Sequence, residues 1–207
     1  STRPDFREKP GRRVNINEIA SALTGSRGEK PIRSFYVYGG NPVASVCCQK
    51  GILEGLLRPD LFTVVHERFM TDTAVYADIL LPAAFSVEQT DVYTAYGYCT
   101  FGTAGKIIEP AGQSKSNWNT FCLLAQAMGY EEEYFKRTEE EMVEELLAHP
   151  MEGLSCISEE EWRILRDGGV ISTAFADHGR FRTPAGKMMI YNENLAESMP
   201  RYIKSHG

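Results

Sequence analysis

The residue types that most often do chemistry in enzymes are scattered along this sequence. None of the four histidines stands at metal-ligand spacing, and no H-E-x-x-H motif, G-x-S-x-G elbow or phosphate loop is present. The five cysteines include no C-x-x-C pair, which makes a zinc site or a disulfide framework a poor interpretation. The glutamate run Glu139–Glu145 is interpreted as a solvated helix face. The sequence therefore predicts no catalytic residue and no metal ligand.

A nucleotide-binding geometry is the chemistry that the residues do support. Three segments each follow an apolar run of strand length: Gly39–Pro42, His66–Glu67 with Thr71, and Ala83–Asp91. In an open parallel sheet, ligands bind outside the carboxyl ends of the strands. The glycines of the first segment would let the backbone approach a ligand, and an acidic residue at a strand end can accept hydrogen bonds from a ribose diol or guanine N–H groups.

The elements that would position these segments alternate in type. Apolar runs predict strands over Arg33–Tyr38, Leu61–His66 and Asp78–Pro82. Helices are predicted between them, from about Ser45 to Leu57 and from Thr71 as N-cap. This alternation predicts an α/β fold with a mainly parallel sheet flanked by crossover helices.

The second half of the chain has a different pattern. Residues 85–109 are rich in tyrosine and glycine and predict a long irregular loop region that contains irregular strands. Three further helices are predicted from their N-cap residues, Ser116, Thr138 and Ser158, the last two with capping-box glutamates. Lys187–Tyr191 is predicted as a last strand.

Composition excludes several classes of function. The chain has 22 Lys and Arg against 28 Asp and Glu, a net charge of -6, which argues against nucleic acid because phosphate binding needs a basic stripe. No apolar run reaches the roughly 18 residues that span a membrane, so we expect no direct membrane insertion. No secretory signal is visible, and reduced thiols fit a cytoplasmic setting, but an export signal would lie upstream, so the compartment stays open.

Three motifs, taken in order, carry a resemblance to a known family. They read GGNPVAS, then LFTVVHERFMTDTAVYADILLPAAFSVEQTD, then IIEPAGQSKSNWNTFCLLAQAMGY. Their order and spacing resemble the molybdopterin oxidoreductases of the dimethyl sulfoxide reductase type. The TPAGK string at Thr183–Lys187 is similar to the family's passage into its last domain, so the resemblance runs from about Arg12 to Tyr202.

The resemblance implies a fold, a cofactor and a set of contacts. It implies the family's third domain, a Rossmann-like sheet that holds one guanosine end of bis-(molybdopterin guanine dinucleotide) with Mo or W. By position, the cofactor-binding residues would be Gly40, Asn41, His66, Glu67, Thr71, Gln89 and Asn117. Family members often have Asp at the positions of Glu67 and Asn117, and sometimes Lys at Gln89. The amides here offer hydrogen bonds but no charge. We interpret Asp78 as structural.

The resemblance also implies a longer parent protein. Family enzymes carry the metal-ligating residue, and often a Cys-rich iron–sulfur motif, well before the matched region, and a further domain after it. We therefore expect this chain to be inactive alone, inside a parent that transfers an oxygen atom or two electrons. Its partners would be the remaining domains of the same polypeptide and an iron–sulfur electron-transfer subunit, and an iron–sulfur cluster would lie in the preceding part.

The expected organisation has three parts. Residues 1–31 form a leader with one short helix, 32–150 the Rossmann-like cofactor-binding domain, and 151–207 a helical extension with a strand.

Two alternative functions remain: a scaffold domain of a respiratory-complex-type subunit without the cofactor, and a free-standing GTP-type binding domain, which the absent phosphate loop disfavours. We also expect exposed aromatic residues to promote association. The candidates are Tyr93, Tyr96, Tyr98 and Phe101.

Overall fold

Three parallel strands form the sheet that the apolar runs predict. The computed structural model describes residues 12–26, 28, 30–95, 100–148, 157–172 and 183–191. The strands β1 (Ser34–Tyr38), β2 (Phe62–Glu67) and β3 (Ile79–Pro82) lie in the order β1-β2-β3. The register pairs Ser34 with Phe62 and Val64 with Ile79, so the carboxyl ends of all three strands meet at one edge. The predicted α/β fold with a parallel sheet is confirmed.

Six α-helices flank the strands or follow them in the described residues. They are α1 (Ile19–Thr24), α2 (Pro42–Ser45), α3 (Gln49–Leu56), α4 (Asn117–Ala127), α5 (Glu139–Ala148) and α6 (Glu159–Arg166). Short 3-10 helices occupy Ile16–Glu18, Ala74–Tyr76, Ser86–Glu88 and Glu133–Lys136. The predicted N-caps are confirmed, because Ser116, Thr138 and Ser158 each accept a hydrogen bond from the backbone N–H three residues on.

The helix predicted from Ser45 to Leu57 is wrong at its start. The chain forms α2 up to Ser45 and begins α3 only at Gln49, because Cys48 adopts a left-handed backbone conformation with φ 65°. That conformation costs a non-glycine residue roughly 1–2 kcal/mol, so packing elsewhere must hold it. The helix predicted from Thr71 is likewise reduced to the single 3-10 turn Ala74–Tyr76.

Packing of α3 on α1 is the main core contact on one side of the sheet. Leu23 of α1 and Ile52 of α3 are fully buried. A Cβ atom added at Gly55 would lie 2.5 Å from the Leu23 Cβ, so only glycine allows this approach of the two helices. The Arg58 guanidinium adds a polar tie, since it donates to the carbonyls of Leu23 and Ile32 and so joins the end of α1 to the start of β1.

The described residues divide into two compact units. One takes in those of 1–91 and 104–155, and the other those of 92–103 and 156–207. A second sheet, of β4 (Asp91–Thr94), β5 (Thr100–Ala104) and β6 (Val170–Ser172), has the order β4-β5-β6, with β5 and β6 antiparallel. The domain boundaries expected from the sequence stay a prediction.

The strands β4 and β5 lie in the region that the sequence predicts as a long loop with irregular strands. Two other expectations are corrected. Phe101 is buried rather than exposed, because it lies beside Ile171 in the β5–β6 pair, and Tyr93 is half-buried. Tyr96 and Tyr98 lie outside the described residues. Lys187–Tyr191 forms no strand, since no described segment pairs with it.

None of the helices in the described ranges is both long enough and apolar enough to cross a membrane.

The close approach at Gly55 predicts the effect of a single methyl group. We expect Gly55→Ala to lower the free energy of unfolding by about 1–3 kcal/mol, because the new Cβ would overlap Leu23 and outweigh the gain in helix propensity. Gly105→Ala is the matched control, since a Cβ there meets nothing within 4 Å. Urea titration of both variants checks this. Equal midpoints for the two would contradict it.

Candidate functional site

The segments that follow the three parallel strands lie at one edge of the sheet. Tyr38 pairs with His66 and Glu67 with Pro82 at the ends of the strands. A parallel bridge from Ala83 to Lys115 extends this edge, with the Ala84 N–H donating to the Lys115 carbonyl over 2.9 Å. Lys115 lies two residues before α4. The three predicted segments, and the segment that leads to Asn117, therefore start from the same edge.

The Asn41 side chain ties the loop after β1 to the loop after β2. Its Oδ1 accepts hydrogen bonds from the Thr73 N–H at 3.1 Å and from the Thr73 hydroxyl at 2.8 Å, and its Nδ2 donates to Asp72 Oδ2 at 2.9 Å. The Thr73 hydroxyl in turn accepts from the Val43 N–H at 3.1 Å, and Thr73 is fully buried. The amide of Asn41 is thus engaged within the chain, and its predicted cofactor contact stays a prediction.

The two glycines before Asn41 have different roles. Gly39 has φ 55°, in the left-handed region that favours glycine. Gly40 has no such constraint, and a Cβ there would meet only the Tyr38 carbonyl oxygen, at 3.8 Å. No other described atom outside its chain neighbours lies within 4 Å of that Cβ position, so a ligand can approach Gly40 on this side. Thr71 is not the N-cap that the sequence predicts, because the 3-10 turn begins after Thr73, but its hydroxyl accepts from the Ala74 N–H at 3.3 Å.

His66 is buried in a cluster of aromatic rings between the sheet and α4. Its ring centroid lies 5.5 Å from that of Tyr38 and 6.0 Å from that of Phe121, and its Nδ1 is 3.1 Å from the Tyr36 hydroxyl oxygen. Burial lowers the pKa of His66, although the nearby Glu67 carboxylate opposes this, and burial raises the pKa of Tyr36. His66 Nε2 has no hydrogen-bond partner among the described residues.

Glu67 ends β2 with one carboxylate oxygen engaged. Oε1 accepts from the Arg68 N–H at 2.7 Å, and the Arg68 Nε lies 3.8 Å from the same atom. The side chain is only 11% exposed, so its carboxylate is directed by the fold rather than free in solvent. Within the described ranges no contact engages Oε2, which leaves one oxygen available as an acceptor.

Glu88 and Gln89 follow β3 and differ in what they bind. The buried Glu88 carboxylate accepts from the Phe85 N–H at 2.8 Å and from the Ala111 N–H at 3.0 Å, so it ties the loop after β3 to the segment that leads to α4. The buried Gln89 amide donates to Asp91 Oδ2 at 3.2 Å. Gln89 Oε1 is buried and has no partner in the described part of the chain.

Asn117 is the first residue of α4 and stands next to its N-cap Ser116. It is half-buried, and no hydrogen bond of its side-chain amide is found among the described residues. The amide lies at the positive end of the helix, where an anionic or acceptor group is favoured.

Two glutamates that the sequence assigned to a solvated face have a structural role. Glu139 accepts from the Thr90 N–H at 2.8 Å and from the Asn119 side chain at 2.9 Å, and Glu140 accepts from the Thr90 hydroxyl at 2.9 Å. Backbone and Thr90 hydrogen bonds lower the pKa of Glu140. With Lys106 they line a polar cleft of about 340 Å³. No sequence motif identified this contact, because Thr90 and Glu139 are distant in the chain.

No group of three or more His, Cys, Asp or Glu side chains within the described ranges is arranged to hold a metal ion.

The expectation that Asp78 is structural is supported by its contact, since its Oδ2 accepts from the Thr63 N–H at 2.7 Å. Sequence reasoning missed Asp72 and Thr73 as the partners of Asn41. The Thr-Asp-Thr-Ala string was the available signal.

Comparison with known proteins identifies relatives of this chain. Residues 12–127 match the family model described as Molybdopterin oxidoreductase. The chain is 35% identical to the "Probable oxidoreductase YoaE" of Bacillus subtilis over 97% of its own length and 30% of that protein. It is 30% identical to the "Dimethyl sulfoxide/trimethylamine N-oxide reductase" of Rhodobacter capsulatus over 66% of its length and 16% of that protein.

A solved structure shares the fold. The acetylene hydratase from Pelobacter acetylenicus matches 92% of this chain and 26% of its own, with a TM-score of 0.68 and 24% identity. The chain thus spans about a third or less of the length of the relatives it matches.

The Asn41 contacts predict a charge-dependent stability. We expect Asn41→Asp to lower the free energy of unfolding by roughly 1–2 kcal/mol, because it replaces the donor to Asp72 with a second carboxylate. Adding Asp72→Asn should restore most of the loss, since the amide then donates in the opposite direction. Thermal unfolding of both variants checks this. A double variant no more stable than Asn41→Asp would contradict it.

The buried His66 predicts a dependence of stability on pH. The folded-state pKa of His66 is lowered, so the unfolded chain takes up a proton first as the pH falls below about 6.5. We therefore expect the wild type to lose stability from pH 6.5 downwards relative to His66→Gln, and the two to run parallel above it. Melting temperatures between pH 5 and 8 measure this. Parallel curves over the whole range would refute it.

Proposed function

The chain belongs to the molybdopterin oxidoreductase family of the dimethyl sulfoxide reductase type, and we propose that its parallel sheet holds the guanosine end of a bis-(molybdopterin guanine dinucleotide) cofactor. The family implies a molybdopterin cofactor with Mo or W. The observation that carries the proposal is the common edge of β1, β2 and β3, where Gly40 follows β1, Glu67 ends β2 and Gln89 lies in the segment after β3. Ligands of open α/β sheets bind at such an edge.

The residues present at this edge fit a guanosine group. Gly40 leaves open space beside the backbone, and Glu67 has an unengaged carboxylate oxygen. Gln89 Oε1 and His66 Nε2 are buried polar atoms without partners among the described residues. An unpaired buried polar atom costs about 1–3 kcal/mol, so a ligand that supplies the missing hydrogen bond is favoured at this point.

Each side chain has a separate part in holding the ligand. Glu67 would accept from the N1–H and N2–H₂ donors of guanine, an interaction that adenine cannot reproduce because its ring lacks the N1–H donor. Gln89 would accept from a ribose hydroxyl, and Asn117 would meet an acceptor group at the start of α4. Asn41 and Thr71 would act indirectly, since their hydrogen bonds fix the loop that carries Gly40 and the loop that follows Glu67.

Catalysis belongs to the full-length protein in this proposal. When bound, the pterin-held Mo or W supplies the oxygen-atom or two-electron transfer, and the protein supplies binding and orientation. We assign no catalytic residue to this chain. We extend the proposal to its partners: the other domains of the same polypeptide, and an iron–sulfur cluster or subunit that exchanges electrons with the metal.

Nucleotide binding by the 207-residue chain tests the proposal. We expect isothermal titration calorimetry to give tighter binding of GDP, the nucleotide end of the cofactor, than of ADP. Glu67→Gln should weaken GDP binding by about tenfold or more and leave ADP unchanged, because it removes the charged acceptor for the guanine edge.

Glu54→Gln is the matched control, since Glu54 is an exposed glutamate on α3 that pairs with Lys50. Absence of GDP binding, or equal affinity for GDP and ADP, would reject the proposal. Either result would favour the alternative of a scaffold domain without the cofactor.

A further inference from the structure

A pair of exposed phenylalanines stands beside Glu67 at the carboxyl edge of the sheet. Phe69, in the loop after β2, is 63% exposed, and Phe85, in the loop after β3, is 38% exposed. Their ring centroids are 5.3 Å apart with the rings edge to face. We call this pair, with Arg68, the Phe69–Phe85 platform. Neither the resemblance nor the sequence patterns assigned these three residues a role.

Arg68 joins the platform to the Glu67 carboxylate. The carbon at the centre of its guanidinium lies 5.8 Å from the centroid of the Phe85 ring, within the range of a cation–π contact. Its Nε lies 3.8 Å from Glu67 Oε1, and its side chain is 48% exposed. The cation is thus positioned between a carboxylate and an aromatic ring, with much of its surface still open.

The exposure of the platform points to a ligand rather than to core packing. In the described residues the rings contact each other and Arg68, and they take no part in the clusters of buried residues. Aromatic rings kept at a surface can stack against a planar ring, and the guanidinium can bind phosphate. Glu67 adds an acceptor for N–H groups. These three chemistries correspond to the face, the phosphates and the edge of one purine nucleotide.

We propose that the Phe69–Phe85 platform binds the purine ring whose N–H edge Glu67 binds, and that Arg68 binds its phosphates. The more exposed Phe69 stacks on the face of the base, and Phe85, at 80° to Phe69, contacts the base with its ring edge. This inference rests on the proposed function and adds the residues that supply affinity without base selection. Stacking acts on the face of any purine, so the platform should contribute equally to GDP and ADP. Selection of guanine should depend on Glu67 alone.

This division of roles gives each residue a distinct signature. We expect Phe69→Leu and Phe85→Leu each to weaken binding of GDP and ADP alike, by roughly 5- to 100-fold, because leucine keeps apolar contact but removes the ring. Arg68→Gln should weaken GDP and GMP and leave guanosine unchanged. Glu67→Gln should weaken only the guanine nucleotides.

Phe62→Leu is the matched control, since Phe62 is also exposed, at 47%, but lies at the opposite end of β2. Calorimetry gives the affinities, and saturation-transfer difference NMR reports whether the H8 proton of the base contacts the protein. Circular dichroism of each variant verifies that it is folded.

The outcomes separate this inference from the proposed function. If Phe69→Leu and Phe85→Leu bind GDP as Phe62→Leu does, the platform is not a stacking surface, while guanine preference and its loss in Glu67→Gln would still support the proposed function. If the wild type binds no purine nucleotide, both are rejected. Loss of GDP binding alone, with ADP binding kept, would also overturn stacking, because it would make the rings base-selective.

Discussion

The hydrogen bonds of the Asn41 amide are the constraint on which the arrangement of the site depends. Parallel strands bring their carboxyl ends to one edge. The loops beyond the strands are irregular, and the hydrogen bonds between strands do not hold them in place, so they need contacts of their own. Asn41 supplies it by satisfying both the backbone N–H and the hydroxyl of the buried Thr73. Without that acceptor, two buried donors would be unpaired, at a cost of about 1–3 kcal/mol each. The position of the loop that follows Glu67 therefore depends on a residue of a different loop.

Glu88 plays the same part on the other side of the sheet. It binds two backbone N–H groups and joins the loop after β3 to the segment before α4. Polar residues at this edge thus fall into two groups. Asn41 and Glu88 have their polar groups engaged within the chain, whereas Glu67 and Gln89 each keep an acceptor that the described residues do not use. In the proposed function, the nucleotide can then bind without breaking the hydrogen bonds that fix the loops.

Sequence patterns were sufficient for the elements whose causes are local. The three strands follow from short apolar runs ended by glycine or proline, and the helix starts follow from capping residues such as Ser116 and Ser158, whose hydrogen bonds span only three residues. For the same reason the strand ends predicted that the segments after the three strands share one edge of the sheet. The predictions were wrong where contacts between residues far apart in the chain determine the backbone conformation or the burial of a side chain. Cys48 leaves the helical conformation where α3 packs on α1, and Phe101 is buried by its pairing with β6. Nor could the spacing of residues show that Asn41 binds the loop after β2, since a side-chain amide can hydrogen-bond a neighbouring loop or a ligand equally well.

The two connections between the parallel strands differ in length, and this difference affects which pair of strands forms more easily. The connection from β2 to β3 is shorter than that from β1 to β2, and Asp78 closes it by accepting from the Thr63 N–H. Closing a shorter loop sacrifices less chain entropy, so the β2–β3 pair is the less demanding one to form. The edge strand β1 can then join a template that already exists. The half of the sheet that carries Glu67, Arg68 and Phe85 is accordingly the half with the smallest entropic barrier to assembly.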